Sequence, residues 1–208
     1  TEAYLATGDG QYAQTSAEIL TYVMRDMTAP EGGFYSSEDA DSEGEEGKFY
    51  LWTEAELREL LSADDAEFVI ATFNTAVSGN FSEVGPLSKN GNILYLRKRL
   101  SIANAARWET IRPHLFDVRE QRIHPALDDK VLTDWNGLMI AAFAQAGQAL
   151  DEPAYTAAAK TAADFILTTM MDENGRLLHR YRDGDAAISA TIDDYAFLIW
   201  GLLDLYQA

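Results

Sequence analysis

Two segments of the chain have apolar residues at helical spacing on one side and polar residues on the other. They are residues 12–27 and 155–170, and each pattern predicts an amphipathic helix with one buried face. Two further segments, residues 135–150 and 195–206, are apolar nearly all round. Because a helix without a polar face must be covered on several sides, we expect outer and inner helices to alternate along the chain.

The amphipathic segments belong to an internal repeat. A shift of 143 positions places Tyr12 on Tyr155 and Gly32 on Gly175, and a short β-like run follows each glycine. Four more apolar pairs match under the same shift: Tyr22 and Phe165, Val23 and Ile166, Met24 and Leu167, and Met27 and Met170. The predicted unit is an outer helix, a Gly turn, a small hairpin and an inner helix. Units of this kind build solenoids or closed rings.

Helix start signals agree with this segmentation. Thr53 with Glu56 and Thr191 with Asp194 have the spacing of capping boxes, and Asp134 is placed to cap the helix that follows it. The predicted fold class is therefore mainly all-α, part of an α/α toroid with short β-hairpins between helix pairs. A partial ring leaves inner-helix surface open, which predicts a homodimer through the open side.

Length, composition and charge limit the number of domains, the cellular location and the kinds of partner that we expect. The chain has 208 residues, of which 47% are hydrophobic, and no linker divides it, so one domain over residues 1–208 is predicted. No stretch reaches the roughly 18 apolar residues of a membrane helix, and no signal peptide is visible, so we expect no membrane and a cytoplasmic location. A net charge of −18 disfavours nucleic acid as a partner. The absence of Cys excludes disulfides and thiolate chemistry.

Three segments combine acidic side chains with aromatic or amide groups. The first surrounds Asp39 and Asp41 and closes with Trp52. Asp39, Asp41 and Glu43 match the start of an EF-hand loop, but Tyr50 stands where a bidentate Glu is needed. We therefore predict ligand contacts and no metal site here, with a divalent cation at Asp39 and Asp41 as the alternative.

The second and third segments stand where two inner helices begin. A helix dipole attracts acids to its N-terminus, which accounts for one Asp in each segment but not for the neighbouring Lys, Trp and Asn. A hairpin before the third segment adds a histidine. The residues of these segments that we assign to a candidate site are Asp129, Lys130, Asp134, Trp135, Asn136, His179, Asp193, Asp194 and Tyr195.

Acids interleaved with Trp and Tyr are typical of a sugar site. Aromatic rings pack on the apolar faces of pyranose rings, carboxylates and amides bind hydroxyl groups, and a pair of carboxylates can act as general acid and base. The candidate catalytic groups are Asp129, Asp134 and Asp194. The candidate ligand-binding groups are Asp39, Asp41, Trp52, Lys130, Trp135, Asn136, His179, Asp193 and Tyr195.

These runs resemble three motifs of the spermatogenesis-associated protein 20 family. They are residues 32–52, residues 128–140 with the distinctive sequence DDKVLTDWNGLMI, and residues 193–198. The resemblance covers nearly the whole chain. It implies part of a six-hairpin α/α toroid similar to glycosidases and N-acylglucosamine 2-epimerases, with a thioredoxin-like domain elsewhere in the parent chain. It implies carbohydrate chemistry only through that similarity of fold.

Two functions follow as expectations. The first is a carbohydrate-active domain that binds a sugar or related polyol at the rim of the toroid and acts as a hydrolase or isomerase, without a cofactor. The epimerases of similar fold use histidines on inner helices, and these inner helices carry none, which favours carboxylates. The alternative is a non-catalytic toroid module that supports a thioredoxin-like redox domain or a protein partner.

Overall fold

The computed structural model describes residues 1–82 and 89–208, which divide into two compact units. Unit 1 comprises Thr1–Ser37 and Leu127–Ala208, and unit 2 comprises Glu38–Ala126. The chain thus leaves unit 1 once and returns to it after unit 2. Each unit is described by itself, and a single domain over the whole chain stays a prediction.

Helices predominate in the described residues, which confirms the predicted mainly helical class. The helices are α1 (Glu2–Thr7), α2 (Gly10–Asp26), α3 (Glu54–Leu60), α4 (Ala63–Thr72), α5 (Ile102–Arg119), α6 (Thr133–Ala149), α7 (Pro153–Thr169) and α8 (Ile192–Gln207). The strands are β1 (Tyr35–Glu38), β2 (Asp41–Ser42), β3 (Glu45–Glu46), β4 (Leu127–Leu132), β5 (Leu178–Arg182) and β6 (Asp185–Ser189). Within the two described ranges, every helix is too short or too polar to cross a bilayer.

A four-stranded sheet in the order β1–β4–β5–β6 lies beside the helices of unit 1. β4 and β5 are antiparallel, with Val131 opposite Tyr181, and β5 is also antiparallel to β6. The loop between β5 and β6 has only two residues, Asp183 and Gly184, and both have positive φ angles. This is the type I′ geometry whose twist matches that of the two strands it joins.

The structure confirms the internal repeat. α2 and α7 begin and end at positions that differ by the predicted 143 residues. Gly32 and Gly175, which match under this shift, both lie in the left-handed region with φ angles of 109° and 75°. Glycine adopts this conformation without steric penalty. An isolated β-bridge closes each turn, and the two bridges are Thr28–Phe34 and Met171–Leu177.

The second half of each repeat is a pair of strands followed by an inner helix. In the first copy, β1 and β4 are neighbours and α6 follows, and in the second copy β5 and β6 are neighbours and α8 follows. The copies differ in the loop between the two strands. Unit 2 occupies that position in the first copy, whereas the second copy has Asp183 and Gly184 there.

The two inner helices pack with their backbones in close approach. A methyl group added to Gly137 of α6 would lie 2.4 Å from the carbonyl carbon of Phe197, and one added to Gly201 of α8 would lie 2.4 Å from the oxygen of Gly137. Further along α6, Ile140 and Phe143 are fully buried. α6 is therefore covered on several sides, as its apolar pattern predicts.

α8 differs from this expectation. Leu198 and Gly201 are buried, but Ile199 and Leu203 are each 56% exposed and Tyr206 is 89% exposed. Within unit 1, α8 packs chiefly on α6.

Unit 2 has an apolar core of its own. α3 begins with the predicted capping box, in which the Thr53 hydroxyl accepts from Glu56 N (3.1 Å) and Thr53 N donates to the Glu56 carboxylate (2.7 Å). Buried Asn92 donates its side-chain amide to the carbonyl oxygens of Trp52 and Ala76. The buried core residues are Trp52, Leu57, Val69, Phe73, Ile111 and Leu115.

Candidate functional site

Three of the predicted site residues meet in unit 1 where the two inner helices begin. Asp134 lies in the first turn of α6, Asp194 lies in the first turn of α8, and His179 lies on β5. One nitrogen or oxygen atom from each of the three side chains lies within 4.8 Å of the others. The predicted catalytic residues Asp134 and Asp194 therefore share one site, and His179 joins them.

Asp194 is completely buried and receives four hydrogen bonds. Oδ2 accepts from the backbone N (2.7 Å) and the hydroxyl group (3.0 Å) of Thr191, which confirms the predicted capping box. Oδ1 accepts from Asp134 N at 3.0 Å and lies 2.8 Å from His179 Nδ1. The carboxylate thus holds together the starts of α6 and α8 and strand β5. With both oxygens occupied and no exposed surface, the geometry of Asp194 favours a positioning role, and its predicted catalytic role stays a prediction.

The pKa of the Asp194 carboxyl group lies below its usual range. Burial raises this pKa, but the hydrogen bonds from Thr191 and His179 lower it by more. A carboxyl group whose pKa is lower in the folded than in the unfolded state stabilises the fold above about pH 4, and this contribution is lost as the pH falls through the folded-state pKa.

The resulting prediction concerns pH. We expect the difference in unfolding free energy between the wild-type protein and Asp194→Ala to shrink as the pH falls below about 4, because protonated Asp194 no longer attracts its donors as strongly. Urea unfolding at about pH 7, 5 and 3 measures this difference. A difference that stays constant over the whole range would contradict the assignment.

His179 is oriented by this carboxylate. Nδ1 faces Asp194 Oδ1, and a buried carboxylate accepts a hydrogen bond, so in the neutral imidazole Nδ1 carries the proton and Nε2 carries the lone pair. Nε2 has no protein partner among residues 1–82 and 89–208, and the side chain is 27% exposed. This arrangement leaves Nε2 able to accept a proton from a ligand.

Asp134 does not cap α6 as predicted, because the helix already begins at Thr133. Its Oδ1 accepts from the backbone N of the adjacent Trp135 at 2.8 Å. No donor reaches Oδ2 from the part of the chain that the structure describes. The half-buried carboxylate is therefore open to a ligand beside His179.

The aromatic residues beside the cluster differ in their surroundings. Trp135 is 51% exposed, so an indole face is open to solvent next to Asp134. Tyr195 follows Asp194 on α8 and is partly exposed, but its hydroxyl group already accepts from Leu177 N at 3.1 Å. Trp135 therefore offers the better surface for stacking on an apolar ligand face.

Asn136 is buried and serves the fold. Its Oδ1 accepts from Phe34 N (2.7 Å), and its Nδ2 donates to the carbonyl oxygens of Phe34 (2.9 Å) and Leu132 (2.9 Å). These bonds fix the start of β1 against α6. They leave the predicted ligand-binding amide without a free donor hydrogen.

Three further candidates of unit 1 lie outside the cluster. Asp129 on β4 pairs with Arg182 at 2.7 Å, and Lys130 on the same strand pairs with Asp128 at 2.9 Å. Asp193 is exposed in the first turn of α8. None of these contacts connects them to His179, so their proposed roles in catalysis and binding stay predictions.

The first predicted segment belongs to unit 2 and forms a hairpin. Asp41 lies on β2, opposite Glu46 on β3, and the tight turn between the strands contains Glu43 and Gly44 with positive φ angles. Asp39 accepts from Asp41 N at 3.1 Å. The acidic run is thus a β-hairpin with a two-residue loop. Its resemblance to a calcium-binding loop does not extend to the backbone.

Trp52 lies in the core of unit 2. It is 4% exposed, and the guanidinium carbon of Arg122 stands 4.1 Å from its ring centre. A ring that is covered in this way offers no open face to a sugar. The predicted platform role of Trp52 therefore has no support from its position.

Unit 2 also contains a cavity of about 360 Å³ that holds none of the predicted site residues. Two of its charged side chains form ion pairs, with Lys48 Nζ 2.6 Å from Glu43 and Arg122 3.5 Å from Glu56.

Sequence reasoning placed His179 and Asp194 in one candidate site but did not identify two contacts of the cluster. The contact between His179 and Asp194 joins a strand to a helix, and no spacing rule connects the two residues. Thr133 was not selected at all, yet its hydroxyl group donates to Leu178 O at 2.6 Å and fixes β5 against α6. The capping-box spacing of Thr191 and Asp194 was the one readable signal that this carboxylate faces the protein.

Comparison with known proteins gives the family. Mouse spermatogenesis-associated protein 20 is 35% identical to this chain, and the human protein of that name is 32% identical. Both alignments cover 100% of this chain and 31% of the relative. An uncharacterized protein of Caenorhabditis elegans is 34% identical over 91% of the chain and 30% of its own length. No protein-family model matches. Over its full length, the chain therefore corresponds to about a third of the proteins of the spermatogenesis-associated protein 20 family, as its three motifs indicate.

Proposed function

We propose that unit 1 binds a sugar or related polyol where α6 and α8 begin, and that His179 Nε2 exchanges a proton with it. The observation that carries the proposal is the pairing of His179 Nδ1 with buried Asp194, which leaves Nε2 unpartnered within the described ranges. A carboxylate in this position fixes the tautomer of the imidazole and stabilises its protonated form.

The contacts favour isomerase-type over hydrolase-type chemistry. Glycoside hydrolysis commonly requires two reacting carboxylates, but Asp194 is buried with both oxygens occupied, so Asp134 has no such partner in the cluster. Isomerisation needs one base to take a proton from the carbon next to a carbonyl group and to return it. His179 Nε2 can do this, while Asp134 can bind a hydroxyl group of the ligand.

The internal repeat supports the wider architecture of this proposal. Two copies of outer helix, strand pair and inner helix are the expected parts of a six-hairpin α/α toroid of the glycosidase type. In such a toroid, the inner-helix N-termini of successive copies gather at one rim. The toroid suggests carbohydrate chemistry only by analogy with other proteins of that fold. The proposal of a sugar ligand therefore depends on the site residues.

A non-catalytic module is the second candidate. The observation that favours it is that Asp194 and Asn136 form hydrogen bonds with backbone groups of the protein itself. In that case the geometry of the cluster would support a thioredoxin-like domain or another partner of a longer chain. Proton exchange on a bound ligand separates the two candidates.

The test measures both binding and proton exchange. A panel of aldoses, ketoses and amino sugars is screened by ligand-observed NMR in D2O, in which deuterium entering next to the carbonyl group reports proton transfer. We expect His179→Gln to lower the exchange rate by about 100-fold or more while binding is retained, because general-base catalysis contributes this much. Trp135→Ala should instead weaken binding by about tenfold through loss of stacking.

His114→Gln is the matched control, since His114 is exposed in unit 2 and contacts only the Leu60 carbonyl oxygen. Its exchange rate and binding should equal those of the wild-type protein. Absence of any ligand in the panel, or exchange that survives in His179→Gln, would overturn the proposed function. Binding without exchange would favour the non-catalytic candidate.

A further inference from the structure

The cavity of unit 2 has the size and lining of a small-molecule site. Its volume of about 360 Å³ lies at the lower end of the usual range for such sites. Phe49, Leu51 and Ile123 supply apolar surface. Lys89 and Gln121 also line the cavity and are exposed, so a ligand can enter from solvent. The space therefore suits a small ligand with an apolar part.

The charges around this cavity leave an excess of positive charge. Within the described ranges, the ionisable lining residues are three cations, Lys48, Lys89 and Arg122, and two carboxylates, Glu43 and Glu56. Lys48 pairs with Glu43, and Arg122 approaches Glu56. No carboxylate in the described part of the chain pairs with Lys89. One positive charge is thus left over, in a chain whose net charge is −18.

Arg122 is held in place mainly by groups that do not neutralise it. Nη1 donates to the carbonyl oxygens of Phe49 (2.8 Å) and Leu51 (2.7 Å). The guanidinium carbon lies 4.1 Å from the ring centre of Trp52. Carbonyl oxygens and an indole ring orient a guanidinium group, but they carry no net charge. The group is therefore fixed before a ligand binds, which lowers the entropy cost of binding.

The other edge of the guanidinium group, formed by Nε and Nη2, accepts no further help from the protein. Glu56 Oε1 lies 3.5 Å from Nη2, and Glu56 Oε2 accepts from the backbone N and the hydroxyl group of Thr53. Neither Nε nor Nη2 has a hydrogen bond to residues 1–82 or 89–208. Burial lowers the pKa of Arg122 by more than Glu56 raises it. The positive charge is thus only partly compensated.

We propose that the cavity of unit 2 binds a small organic carboxylate, with its carboxylate group on Nε and Nη2 of Arg122 and its apolar part against Phe49 and Ile123. The planar fork of an arginine matches the two oxygens of a carboxylate. A single negative charge balances the excess charge of the lining, whereas a phosphate group carries about −1.5 to −2. This inference does not depend on the proposed function, whose site lies in unit 1.

The test uses the full chain with benzoate and hexanoate as probes. Benzamide and hexanamide are the neutral probes of the same shape, and phenyl phosphate represents the phosphate class. A proton–nitrogen NMR titration measures each affinity, and the Nε–H signal of Arg122 reports contact in the cavity. We expect at least one carboxylate to bind with a Kd below about 1 mM and its amide at least about tenfold more weakly, because the amide lacks the charge. Phenyl phosphate should bind less tightly than that carboxylate.

Arg122→Lys keeps the positive charge but removes the planar fork, so the bound carboxylate should lose affinity by at least about tenfold. Because Arg122 also contacts the core of unit 2, a second variant is needed that leaves the core unchanged. Lys89→Gln alters an exposed side chain and should weaken binding by about threefold, the usual effect of one exposed charge. Circular dichroism melting verifies that each variant is folded.

Lys98→Gln is the matched control, since Lys98 is an exposed residue of unit 2 outside the cavity lining. Its affinity for the carboxylate should equal that of the wild-type protein. Several results would overturn the proposal: no binding of either carboxylate, equal binding of its amide, tighter binding of phenyl phosphate, or an Nε–H signal of Arg122 that does not move. Equal losses of affinity in Lys98→Gln and Lys89→Gln would do so too, because they would indicate attraction by overall charge alone.

Discussion

Asp194→Ala is expected to lower the free energy of unfolding by about 3–5 kcal/mol, the usual effect of breaking a buried, hydrogen-bonded charged network. The substitution removes four acceptor bonds at once and leaves the half-buried N–H group of Asp134 without its partner. The capping box of α8 disappears with it. Urea and thermal unfolding followed by circular dichroism measure the loss.

Asp193→Ala is the matched control. It removes the same charge from the same helical turn, but Asp193 is exposed, so only its interaction with the helix dipole is lost. That loss should be about 0.3–1 kcal/mol. Equal effects of the two substitutions would show that the Asp194 network contributes no more than a surface charge.

Gly201→Ala is expected to destabilise the protein by about 2–3 kcal/mol, as overpacking of a tight core does. Its new methyl group would lie 2.4 Å from the Gly137 carbonyl oxygen, which is backbone and cannot rotate away. Helix propensity alone predicts the opposite, a gain of about 1 kcal/mol. The sign of the change in unfolding free energy therefore decides whether close backbone approach dominates.

Gly10→Ala provides the comparison for this prediction. Gly10 begins α2, and an added methyl group meets no atom within 4 Å. We expect no loss of stability at this position, and a small gain of up to about 1 kcal/mol. If Gly201→Ala were equally well tolerated, the two inner helices would have to stand further apart than described.

Periodicity was sufficient to predict four helices of unit 1, namely α2, α6, α7 and α8, and their repeat. An apolar stripe requires a covering partner, so the bounds of α2 and α7 follow from residues such as Val23 and Ile166 to within a few positions. The apolar pattern of α8 predicted the helix but not its surroundings. It predicted cover on several sides, and the structure places cover on one side only.

The site was harder to predict, because residue type does not reveal which groups a side chain faces. Trp52 and Trp135 both adjoin acidic runs, yet the first is buried under Arg122 and the second is exposed. Asn136 has the polarity of a ligand-binding residue, but it satisfies backbone groups of Phe34. Such contacts join positions far apart in the chain, and only the folded backbone determines them.

The strand pairs of the two repeat copies show where this fold tolerates an insertion. Asp39 N donates to Ala126 O at 2.8 Å, so unit 2 starts and finishes at one hydrogen bond. The entropy of closing a loop grows only with the logarithm of its length. An insertion of this kind can be lengthened, shortened or exchanged for a foreign module without altering the helical scaffold, which makes this hairpin the natural place for evolution, or an engineer, to add a new capability.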